Sequence, residues 1–147
     1  MKKVSLLLLT TLLGLGLSVQ SQKIIEKNIA HNGQFIELDV KFADAIEIKT
    51  WDKQSIYFKA EIEIEDNEFI DKYEVDFDES KNTIYIEEKA EAVFKAFRKQ
   101  ASQNGNGKHF CNTGDWYTFN YVLHIPKNAR FKVSSINGDL SANILEG

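Results

Sequence analysis

The stretch 46–65, IEIKTWDKQSIYFKAEIEIE, decides how this chain folds. Ile46, Ile48, Ile56, Phe58, Ala60, Ile62 and Ile64 fall on alternate positions, with Glu47, Lys49, Tyr57, Lys59, Glu61, Glu63 and Glu65 between them. A period of two sends one set of side chains into a core and the other into water, the pattern of half-buried strands. Asp52, Lys53 and Gln54 interrupt it with a polar gap short enough for a hairpin. The expectation is two strands that pair antiparallel and share one oily face.

The same alternation extends outward on both sides. Upstream, KIIEKNI at 23–29 reads as a strand stopped by Ala30, His31, Asn32 and Gly33, and FIELDVKF at 35–42 as a second. Downstream, Tyr73, Val75 and Phe77 alternate with Glu74, Asp76 and Asp78, then Ile84 and Ile86 with Tyr85 and Glu87, around a turn at 79–82. Through residue 88 the pattern predicts a meander. The period then changes. Ala90, Val93, Phe94 and Phe97 are spaced i, i+3, i+4, i+7, one stripe of a short helix lidding the sheet.

The segment 101–115, with three glycines and three asparagines, has no periodicity and is expected to be a long mobile loop. Tyr117, Phe119, Tyr121, Leu123 and Ile125 then form the strongest strand after the central pair, ended by Pro126 because proline donates no ladder hydrogen bond. Phe131 and Val133 start another strand, and 136–144 a turn and one more.

The amino terminus reads as export machinery. Lys2 and Lys3 precede an apolar run from Leu6 to Leu17, followed by small and polar residues, and Val19 and Ser21 favour cleavage before Gln22. Spanning a bilayer takes about 20 apolar residues, so this run is a signal peptide of residues 1–21 and not an anchor. The 147 residues less those 21 leave 126, enough for a single β-rich domain at 22–147 with one core. The leader removes two of 18 basic residues, leaving 16 against 22 acidic, a net charge of −6. That balance excludes nucleic acid, whose phosphates need Lys and Arg. A single cysteine, Cys111, excludes an internal disulfide.

Two passages resemble a known family. Residues 46–58, with Thr50-Trp51-Asp52-Lys53 at the turn, and 122–140, with His124-Ile125-Pro126-Lys127-Asn128 leading to Ser134-Ser135-Ile136-Asn137-Gly138-Asp139-Leu140, carry the resemblance. They are similar to the auto-transporter adhesin head-like family of exported bacterial β-solenoid proteins, a domain of unknown function common in Bacteroidota. The resemblance spans about residues 29–147. It implies a right-handed solenoid of short strands, with the Asn-Gly-Asp turn opening Gly-Asp-rich rungs, and supplies no catalytic residues. Members continue with several such rungs; here one, 136–144, is visible. The fold class expected is therefore all-β, an antiparallel meander leading into a short right-handed β-solenoid or stacked sheet, with one short helix.

Three constellations bear on function. His109, Cys111 and Asp115, with His124 downstream, contain the elements of a thiol nucleophile and its base, but no nucleophile signature surrounds them and no regular element fixes their geometry. Glu61, Glu63 and Glu65 would face Glu74, Asp76 and Asp78 if their strands paired, an arrangement calcium would relieve, yet no DxDxDG loop is present. No cofactor or metal is assigned. Trp51 continues the outward series at the tip of the central turn, where it would grip a sugar ring or a protein. The terminal rung, carrying Leu140 and Ile144, has little charge, and its bare edge invites strand addition or self-association.

The resulting expectation is an exported, non-enzymatic, adhesin-like interaction module in the periplasm or at the cell surface, binding a protein or glycan. Two alternatives stand beside it: a thiol-dependent enzyme using Cys111 with His109 or His124, and a periplasmic partner of a regulatory membrane protein.

Overall fold

The structure, a computed structural model, describes residues 21–65, 67–103, 116–136 and 138–143. The alternating stretches become strands β1 (Ser21–Ala30), β2 (Phe35–Asp39), β3 (Ala45–Trp51), β4 (Ser55–Ile64), β5 (Glu74–Glu79), β6 (Thr83–Lys89), β7 (Tyr117–Pro126), β8 (Phe131–Ser134) and β9 (Asp139–Asn143). Two helices accompany them, α1 (Asn67–Ile70) and α2 (Glu91–Gln103). The strands form two sheets, in the orders β1-β4-β7-β3-β9 and β5-β6-β2-β8. The inward stripes of both make one buried core, in which Ile36, Leu38, Ile56, Phe58, Ile62, Ile84, Phe119 and Leu123 are wholly shielded. The chain is β-rich, as its alternation predicts.

The pairing differs from the expected meander. β3 and β4 share the oily face but do not pair, because β7 lies between them. β4 takes antiparallel partners on both sides, with Ala60 opposite Ile25 of β1 and opposite Tyr121 of β7. β3 instead runs parallel to β7 and to β9, with Ile46 beside Tyr121 and Leu140. The gap at Asp52–Gln54 therefore arches over a neighbouring strand. β1 and β2 likewise enter different sheets. Of the expected consecutive antiparallel pairs, β5–β6 forms, its turn held by Ser80, whose Oγ accepts the Thr83 amide at 3.0 Å.

Parallel ladders run through both sheets: β6, β2 and β8 in one, β7, β3 and β9 in the other. Three times the chain leaves the second sheet and enters the first. The crossing from β8 to β9 lies directly on the one from β2 to β3. Val40 donates its amide to Ser134 O at 2.9 Å, Ile136 to Lys41 O at 3.3 Å and Asp139 to Asp44 O at 3.0 Å, so the ladder continues around the corner. Gly138 makes this approach possible: a Cβ there would land on the Ala43 carbonyl oxygen, and its φ of +122° is open to glycine.

The helix is where its period places it. Val93 is buried, and Phe97 stacks on Trp116 with ring centroids 3.7 Å apart and planes 2° from parallel. The single turn α1, which the sequence pattern does not announce, buries Phe69 and Ile70 beside it. Residues 101–103 of the expected loop belong instead to the last turn of α2, and 104–115 lie outside the described residues.

Two glycines separate backbone freedom from close approach. Gly33, at φ +84°, has nothing within 4 Å of a Cβ, so Gly33→Ala is expected to cost about 1 kcal/mol from the left-handed backbone alone. Gly138→Ala adds a backbone collision and is expected to cost at least about 2 kcal/mol more, measured by urea unfolding.

Candidate functional site

Three turns converge at one end of the first sheet: 31–34 after β1, 52–54 after β3 and 127–130 after β7. Between them lies an open hollow of about 310 Å³ lined by His31, Trp51, Asp52, Gln54, Lys127 and Asn128, with Gly33, Pro126 and Ala129. Its walls are tied together. His31 donates its amide to Gln54 O at 3.1 Å, Ala129 donates to Pro126 O at 3.0 Å, and Lys127 Nζ lies 2.9 Å from Asp52 Oδ1. The ion pair is solvent-exposed, so it orients two polar arms and adds little stability.

His31 is the buried member of the set. Its Nε2 donates to Gln34 O at 2.8 Å, and Nδ1 has no partner among the described residues. An imidazole held this way braces the β1–β2 turn and is not free to swing.

Trp51 is half-buried, where its place in the outward series predicts full exposure. The indole folds back over the turn: Nε1 donates to Ser55 O at 2.7 Å, Lys53 Nζ lies 4.6 Å from the ring centre, and His124 meets it edge-on at 5.0 Å. His124 also packs against Tyr57 at 5.5 Å, its neighbour across the ladder. Burial lowers the His124 pKa below its usual value, with Lys49 adding to the effect, so the imidazole is mostly neutral near pH 7. It belongs to an aromatic patch on the sheet's outer face, not to a cleft.

His109, Cys111, Asp115 and Ile144 lie outside the described residues. Leu140 sits on β9 at the far edge of the first sheet, 59% exposed. The acidic rows do not face one another, because β4 and β5 belong to different sheets, and the electrostatic reason for calcium between them falls away. Among the described residues no group of three or more His, Cys, Asp or Glu is placed to hold a metal. No helix of the described residues is long and apolar enough to cross a membrane.

One buried ionisable group is marked by the alternation itself. Glu88 continues the inward phase of Ile84 and Ile86, and the structure buries it beneath the turn that joins β2 to β3. Its Oε2 accepts the Phe42 amide at 3.1 Å, and Oε1 has no partner within hydrogen-bonding geometry among the described residues, with the Tyr121 hydroxyl close enough to influence the group. Beside it, the Tyr73 and Tyr121 hydroxyls bond each other at 2.6 Å, and burial pushes both pKa values up, so both stay protonated.

No protein-family model and no curated protein matches this chain.

Glu88 makes stability pH-dependent. Desolvation pushes its pKa up to about 7 from 4.5, while the Phe42 amide and the Tyr121 hydroxyl pull the other way. Below about pH 4.5 the carboxyl is protonated both folded and unfolded; between there and about 7 the unfolded chain releases a proton that the fold retains. Stability is expected to fall by up to about 3 kcal/mol as pH rises through that window. Urea unfolding of Glu88→Gln should show most of this slope removed.

Proposed function

We propose that this chain is an exported, non-enzymatic, adhesin-like interaction module acting in the periplasm or at the cell surface, and that its binding site is the hollow between the three turns. The observation that carries this reading is the composition of that hollow. A tryptophan held by its own Nε1 hydrogen bond, an Asp–Lys pair and the Asn128 and Gln54 side chains surround one open space. A fixed aromatic face beside short polar arms suits the apolar faces and hydroxyls of a glycan, or a polar protein segment. Turns on a rigid two-sheet scaffold are where binding residues concentrate.

Export rests on Lys2, Lys3 and the apolar run Leu6–Leu17. The crossings β6–β7, β2–β3 and β8–β9, parallel in both sheets, support reading the fold as a short β-solenoid. The right hand and the adhesin-like role come from the resemblance of 46–58 and 122–140. His124, the histidine of the thiol pair within the described residues, is engaged with Trp51 and Tyr57, which favours the non-enzymatic reading over the Cys111 alternative.

Trp51→Ala and Lys127→Ala are each expected to weaken binding to a panel of surface polysaccharides about tenfold, near 1.4 kcal/mol, with the fold unchanged. Titration calorimetry on the panel measures this. A hydrolytic activity that disappears in Cys111→Ser would overturn the non-enzymatic reading.

A further inference from the structure

The two ends of the inter-sheet core are finished differently. At the β1–β5 end, lysines close it. Lys23 and Lys27 occupy inward positions of β1, opposite buried Ile62 and Phe58 of β4. Lys23 Nζ donates to Tyr73 O at 2.7 Å across the gap between the sheets, and Lys27 Nζ lies 3.2 Å from Glu79 Oε1 and 4.5 Å above the Phe77 ring. Inward-pointing charge on an edge strand is a device that blocks pairing with another chain.

The β8–β9 end has no such closure among the described residues. Phe131 and Val133 lie beside buried Ile36 and Leu38 of β2, and Leu140 beside buried Ile46 of β3, so all three face the core. Leu140 is nevertheless 59% exposed, and Ile136, at the corner between them, 70%. With Ile24 these are the large apolar residues most open to solvent among the described residues. The outermost strands of both sheets, β8 and β9, therefore end the core with apolar side chains and, among the described residues, strand edges that pair with no further strand.

We propose that this end is an interface with a second copy of the same chain, both sheets continuing across a two-fold axis. The register decides the occupant. An antiparallel β9–β9 ladder centred on Ser141 sets Asp139 opposite position 143 and Leu140 opposite position 142, neither of them charged. In β8, centring on Val133 sets Lys132 opposite Ser134 and keeps inward positions together. Val133 and Ser141 stand beside Leu38 and Glu47, on either side of the turn joining β2 to β3, so one axis serves both sheets. Head-to-tail stacking would instead bury Lys23 and Lys27 against the apolar end. A closed, like-to-like dimer spares them and cannot grow into a fibre.

Strands this short bury less than the roughly 1,200 Å² of a stable complex, so association should depend on concentration. Sedimentation velocity of the full chain, expressed from its own first residue, is expected to pass from monomer to twice that mass between micromolar and near-millimolar concentration. Leu140→Lys should abolish the shift with its circular dichroism spectrum unchanged. In a Cys111→Ser background, Ser141→Cys should give a disulfide-linked dimer under mild oxidation, and Asn28→Cys on β1 should not. A monomer at every concentration with no cross-link through position 141 overturns the proposal. So does a ladder of larger species, or cross-linking through position 28 in place of 141.

Discussion

Two chain crossings stacked residue on residue must turn their corner together, and this backbone constraint governs the rest of the molecule. β2–β3 and β8–β9 run side by side in both sheets, and the amides of Val40, Ile136 and Asp139 carry the ladder around the bend. The bend leaves no room for a Cβ at 138. It also shapes the interior below, where the Glu88 carboxylate reaches up to the Phe42 amide that the turn would otherwise leave bare. A backbone group thus keeps an ionisable side chain buried, and its desolvation makes stability depend on pH.

The wedge of β7 between β3 and β4 has the same origin and a consequence at the end of the sheet. With β3 committed to parallel neighbours on both sides, the turn after it spans the width of a strand rather than closing a hairpin. That wider arch brings Asp52 and Gln54 alongside the turn after β7 and the turn after β1, and the hollow is the space left between them. Trp51 is drawn down onto Ser55 and His124 by the same arch. The hollow is therefore a product of topology: its residues come from three turns that no local pattern connects.

Alternation made the strand content and the core legible from the sequence. Ile46, Ile48, Ile56, Phe58, Ala60, Ile62 and Ile64 are all buried, as a period of two requires, and the helical stripe through Val93 and Phe97 faces inward. Partner choice was not legible. A period of two tells which face a side chain takes and nothing about which strand lies alongside, so nearness in sequence stood in for nearness in space and gave a β3–β4 hairpin. The hollow was half legible: Trp51 stood out by parity, whereas His31, Lys127 and Asn128 are ordinary turn residues until three turns meet. Glu88 was marked by its inward phase after Ile84 and Ile86. The open end could be anticipated from the uncharged run near Leu140, but its lysine-closed counterpart depends on β1 and β5 lying at matching edges of the two sheets.

The stacked crossings are tested most directly by cross-strand backbone contacts in a nuclear Overhauser spectrum of the labelled protein. Contacts from Ile46 to Tyr121 and from Ile46 to Leu140 are expected, placing β3 between two parallel neighbours. A ladder of contacts running directly between residues 45–51 and 55–64 would restore the hairpin and contradict the stacking on which the hollow, the open end and the Gly138 corner all depend.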